Sequence, residues 1–198
     1  VSNAKLAQDI ISADTALGAE PADTDEFLVS DAGTLKRMDY SYIKDSGGIT
    51  MADQWRITAN TSVRSSAFIT ANWEQVDTTS AGFIGTGVTE SSGVFTFPST
   101  GIYLIIATIQ NETNGARTYS GGSIYVTTDN STYSSASEQF QSTDIQRFVT
   151  VYPSFILDVT DTSNVKIKLK YTSVGLDKTI GGTDIFKTGV SFIRLGDT

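Results

Sequence analysis

Residues 91–110 run SSGVFTFPSTGIYLIIATIQ, and this stretch leaves few folds open. Its first part, 94–97, is a short β-branched and aromatic run, and Pro98-Ser99-Thr100-Gly101 is a turn, because proline presets φ and glycine tolerates positive φ. The strand that follows is apolar on both sides: Ile102, Leu104 and Ile106 share one face, and Tyr103, Ile105, Ala107 and Ile109 share the other. An antiparallel strand with a solvated face would alternate, so this one should be covered twice. The simplest second cover is another copy of the chain, with Tyr103, Ile105, Ala107 and Ile109 as the candidate interface; the pattern alone leaves open which of the two faces meets the other copy. Each large apolar side chain buried is worth about 1.5–3 kcal/mol, so leaving that face in water would be costly.

The remainder reads as short strands and turns. In 198 residues there are 17 glycines and three prolines, and 39% hydrophobic content is enough for one large domain, with or without an arm. Strands are expected at residues 66–77, with Trp73 as an anchor, at 83–84, 94–97, 101–110 and 122–128, and again at 146–158, 165–171 and 185–195. Pro153 places its strand at an edge or a bulge. In 165–171, Val165, Ile167, Leu169 and Tyr171 point inward, and Lys166, Lys168 and Lys170 form an outward basic stripe. That stripe reads as a solvated face that discourages edge-to-edge pairing. Eight to ten such strands define an all-β, antiparallel sandwich or jelly roll.

The first part of the chain is different. Residues 4–12, AKLAQDIIS, suit a short helix with Leu6, Ile10 and Ile11 on one side, too short to stand alone in water. Residues 26–30 and 35–40 read as two strands joined by the turn Asp31-Ala32-Gly33-Thr34. Such a hairpin has too few apolar residues to be stable by itself. It is either a surface hairpin folded onto the body or an attachment arm ordered by a partner, with Phe27, Leu28, Val29, Leu35 and Met38 as its contacts. Gly47-Gly48 marks the boundary, giving an arm at 1–47, a linker at 48–60 and the sandwich at 61–198.

Composition removes several classes of function. Without cysteine there is no disulfide and no thiol nucleophile, and without histidine the usual general base and metal ligand are missing. An enzyme is therefore not expected, and neither is a cofactor. A net charge of −8 argues against nucleic acid as partner, and residues 1–55 carry ten of the 22 acidic groups against four of the 14 basic ones. No run is long enough to insert in a membrane, and the first 30 residues lack the pattern of a secretion signal. Asp158, Asp161 and Asn164 suggest a polar turn more than a Ca²⁺ site, since they lack the spacing of a calcium loop. Arg117, Tyr119, Tyr125 and Tyr133, in or beside loops, suit either a receptor contact or a cap on the sandwich edge; Arg117, Tyr119 and Tyr133 are the candidate receptor residues.

Two resemblances sharpen these expectations. Residues 23–44, DTDEFLVSDAGTLKRMDYSYIK, resemble a module recurrent in tail, fibre and other virion proteins of bacteriophages, and 47–58, GGITMADQWRIT, resembles the linker between such modules and a C-terminal head. In the body, AFITANWEQV, GVFTFPSTGIYLIIATI, FILDVTDTSNVKIKLKY and GVSFIRLGD follow in order the landmarks of the C1q/TNF-like jelly roll. Phe95, Pro98, Gly101 and Tyr103 match that family's core motif, and residues 190–195 match its last strand, with Arg194 where a glycine or small residue is usual. The resemblance implies a homotrimer around a threefold axis. Together the two imply a non-enzymatic, virion-located fibre or capsid decoration protein, held by its arm to other virion proteins in capsid or tail. Its jelly-roll heads would serve particle stabilisation or host attachment through a cell-surface glycan. The alternative is a C1q-like carbohydrate- or cell-surface-binding protein unrelated to a virion, and a depolymerase is a remote third.

Overall fold

The structure is a computed structural model that describes residues 17–44, 48–62, 64–78 and 80–198. The helix expected at 4–12 lies outside the described residues. The chain divides into two compact units, Val1–Gly48 and Ile49–Thr198.

In the first unit, β1 (Glu26–Asp31) and β2 (Thr34–Asp39) form an antiparallel hairpin, followed by a 3₁₀ turn at Tyr40–Tyr42. Ala32 (φ 48°) and Gly33 (φ 84°) are both left-handed, the conformation of a two-residue turn whose twist matches the strands. Phe27 lies opposite Met38, and its ring tilts against Tyr40 at 5.9 Å. The ion pairs Arg37–Glu26 and Lys36–Asp31 tie the strands together at the surface.

The second unit contains the remaining strands. They are β3 (Ala52–Ile57), β4 (Arg64–Phe68), β5 (Trp73–Gln75), β6 (Thr89–Ser91), β7 (Val94–Thr96) and β8 (Gly101–Glu112), then β9 (Arg117–Thr127), β10 (Ser134–Thr143), β11 (Phe148–Val151), β12 (Ser154–Val159), β13 (Lys166–Thr179) and β14 (Gly189–Gly196). One layer has the order β5–β3–β14–β8, with β12 and then β11 along the other edge of β8. The second layer has the order β10–β9–β13, and the far edge of β13 takes β7 at its start and β4 further along. Every pairing is antiparallel.

The layers enclose one core because their inward positions are large and apolar. Phe95 is its centre, with Trp73 at 4.9 Å, Phe192 at 5.3 Å and Trp55 at 5.9 Å, mostly edge to face. Tyr103 packs on Phe97 at 4.7 Å and donates its hydroxyl hydrogen to the Ser99 carbonyl at 2.9 Å. Buried Asp53 accepts four hydrogen bonds, from the Gln54 and Val88 amides, the Trp55 indole and the Gln75 amide, at 2.8–3.0 Å. A buried carboxylate must be paired or satisfied, and here it ties β3, β5 and the chain before β6 together.

Several expectations are corrected. Residues 66–77 are not one strand: β4 and β5 belong to different layers, separated by a turn in which Asn72 has φ 66°. Residues 83–84 make only a single bridge, Ile84 to Ala52. The span 146–158 breaks at Tyr152-Pro153 into β11 and β12. The segment 48–60 is not all linker, since β3 pairs with β14 and β5 inside the first layer.

Candidate functional site

On β8 the inward residues are Tyr103, Ile105, Ala107 and Ile109, and all four are 0% exposed within a single chain. They cannot meet another copy. The sandwich covers them itself, with Phe97 packed on Tyr103 and Ile109 set against Gly122 of β9, which corrects the expected interface. The open side of the same strand carries Ile102, Leu104 and Ile106, with Ile106 37% exposed. Strand pairing extends it: Ile156, Leu104, Ile193 and Ala52 stand in one row across β12, β8, β14 and β3. Ile156 is 60% exposed, and Tyr152 and Phe148 lie uncovered beyond it. The apolar strand is thus two-sided, as its pattern predicts, with the faces exchanged.

Arg117 is not a surface contact. Its Nε donates to Asp177 at 2.9 Å, and its other nitrogens donate to the carbonyls of Ala116, Asn114 and Leu176. Asp177 is fully buried and also accepts from the Asn114 amide and the Ser173 hydroxyl. Gly175 makes room for this, because a Cβ there would lie 2.3 Å from the guanidinium carbon. The pair closes the turn between β8 and β9 onto β13. Tyr119 lies in β9, not in a loop, and is exposed, with its ring 5.4 Å from Phe140. Tyr133 is half-buried under Lys168, whose ammonium sits 4.0 Å from the ring centre. The three candidate receptor residues therefore have three different roles.

The candidate attachment residues split by register. Phe27, Val29 and Met38 share one side of the hairpin, and Leu28 and Leu35 the other. Phe27, Leu28, Leu35 and Met38 are each at least 38% exposed, so neither side is sealed.

The carboxylates of the polar turns are taken up by their own loops. Asp161 spends its carboxylate on the Ser163 amide and the Asn164 side chain, which hold its pKa below the usual carboxylate range, while Asp158 stands exposed on β12. Asp129 does the same with the Thr132 and Ser131 amides and the Thr127 hydroxyl, and its carboxyl is held well below the usual range by them. Among the described residues no three acidic side chains gather to hold a metal. Burial pushes the Tyr171 hydroxyl up to about 12, with Arg64 opposing and Asp177 reinforcing. An open cleft of ≈ 540 Å³ lies between β9–β10 and β12, lined by Val126, Phe155 and Leu157 with Asp129 at its rim.

This arrangement is that of a TNF-like jelly roll, and solved structures of that class match it. Murine APRIL aligns at a TM-score of 0.55 and 13% identity over 73% of this chain and 98% of its own. The Eiger TNF of S. frugiperda aligns at 0.55 and 15% identity, over 76% and 96% respectively. The globular domain of zebrafish complement 1qA aligns at 0.49 and 10%. No protein-family model matches the chain, and no curated protein matches it by sequence. The likeness to the first two establishes the fold.

Proposed function

We propose that the chain is a non-enzymatic virion structural protein of a bacteriophage, in which three jelly-roll bodies pack into an exposed head and the hairpin unit anchors each copy to the particle. The observation that carries this reading is the pair of apolar surfaces left open by a single chain: the row Ile156–Leu104–Ile193–Ala52 on the body, and Phe27, Leu28, Leu35 and Met38 on the separate hairpin unit. A face of that kind in every copy needs a cover, and a threefold arrangement is what the C1q/TNF resemblance implies. The virion assignment draws on the resemblance of residues 23–44 and on the acidic, separate character of that unit.

The test mixes the full chain, and a chain beginning at Ile49, with phage particles purified from the source culture. Co-sedimentation of the full chain alone supports an anchoring hairpin on a virion protein. Binding of neither chain to particles, with binding of both to bacterial cells, replaces it with a C1q-like cell-surface-binding protein.

A further inference from the structure

The lysine stripe of β13 has a different setting from the one expected of it. Lysines protect sheets at their edges, but over Lys166–Lys170 the strand is interior, paired to β9 on one side and to β7 and β4 on the other. Lysine is a poor strand former, and three like charges on one face of a central strand repel one another. Nothing in pairing or edge protection asks for them.

Their surroundings are aromatic. The Lys168 ammonium lies 4.0 Å from the Tyr133 ring centre and 5.5 Å from that of Phe68, and the Lys170 ammonium lies 5.3 Å from Tyr125 and 5.9 Å from Phe68. Phe68 and Tyr125 are themselves edge to face at 5.1 Å. Rings beneath an ammonium hold it in place and leave its outer side free. Among the described residues no carboxylate pairs with Lys166, Lys168 or Lys170, whereas Lys36, Lys44 and Lys178 each have one. Alternate residues of a strand are about 6.6 Å apart, so the three cations line a lane about 13 Å long. Further along the same face of β9, Tyr119 and Phe140 stand 39% and 45% exposed, with the Phe140 ring lying over Gly121.

We propose that this face binds an acidic polysaccharide, the lysines taking its carboxylate or sulfate groups and the Tyr119–Phe140 pair the apolar face of a sugar ring. Charge complementarity selects an anion, and its density selects the class. A chain of net charge −8, with Glu138 in the same row as Lys170, repels a polymer with a charge on every unit. An acidic glycan carries fewer charges and presents the C–H faces that suit exposed rings. The inference rests on the proposed function only in taking this side of the body as outward.

The experiment titrates the intact full chain with hyaluronate, which carries one carboxylate for every two sugars, with uncharged dextran and with a 20-residue oligothymidylate at low and high salt, and records its mass in solution alongside. The result expected is salt-sensitive binding of hyaluronate, no binding of dextran, and at least a tenfold loss of affinity in Lys168→Ala/Lys170→Ala. Phe140→Ser should weaken binding less, and Lys187→Ala should leave it unchanged. Equal binding by the double lysine variant, no binding of hyaluronate, or tighter binding of the oligothymidylate would overturn the proposal. Because mass is read in the same samples, the proposed assembly stands or falls separately.

Discussion

The two layers of the body resemble each other inside and differ outside. Across the first, the outward row is Ile156, Leu104, Ile193 and Ala52; across the second it is Glu138, Ser123, Lys170 and Phe68. Both rows back onto the same core of Phe95, Phe97, Phe192 and Ile105. The inward residues build the sandwich, and the outward ones determine what each layer can meet. An apolar row asks for a dry, fitted cover such as a second copy. Ammonium groups on aromatic supports suit a wet partner that can leave.

The largest effect should separate the two sides of one strand. Ile105→Asp puts an unpaired charge into the core and should abolish folding, read as loss of the β-sheet circular dichroism signal. Leu104→Asp, one residue away on the open side, should instead give a folded body of single-chain mass. If both variants behave alike, the assignment of faces is wrong.

Next in size is the buried ion pair. Arg117→Ala leaves Asp177 buried without its cation and should cost about 3–5 kcal/mol in denaturant unfolding. An exposed receptor contact would cost almost nothing, so the same variant decides between the two roles of Arg117.

Acid should act through the turns. Asp129 and Asp161 have folded pKa values below their unfolded ones, because backbone amides and a side-chain hydrogen bond favour the ionised form. Their stabilisation is therefore fully present above the unfolded carboxylate range near pH ~3.9 and is lost as pH falls through the folded values. Thermal unfolding should be level from about pH 7 to 5 and fall below about pH 4. Asp129→Asn should lower Tm at neutral pH and shrink that fall. The smallest effect belongs to the lysine face, where Tyr133→Ala should remove about 0.5–1 kcal/mol of cation–π support, measured by chemical unfolding.

The strands with strong apolar periods were legible in the sequence. The alternation at 165–171 stands as read, and β8 carries apolar side chains on both faces, as its pattern requires. What a period cannot say is which side faces inward when both are apolar. Tyr103, Ile105, Ala107 and Ile109 were indistinguishable by pattern from Ile102, Leu104 and Ile106, and only the packing across the core, with Phe97 on Tyr103 and Ile109 against Gly122, decides between them. The strand β10, SSASEQFQST, gave no signal because an edge strand with little buried surface needs no apolar alternation. Arg117 looked like a recognition residue because its partner, Asp177, lies 60 positions away in sequence. The lysine lane was visible as a stripe, but its central place in the sheet and its aromatic supports depend on pairings that sequence spacing does not show.

The most direct measurement is the mass of the full chain in solution by light scattering, for the native sequence and for Leu104→Asp. The account predicts three times the 21.2 kDa of one chain for the first and a folded species of single-chain mass for the second. A native chain of single-chain mass, or a Leu104→Asp variant that keeps the native mass, would contradict the claim that the open apolar face of the first layer is where copies meet.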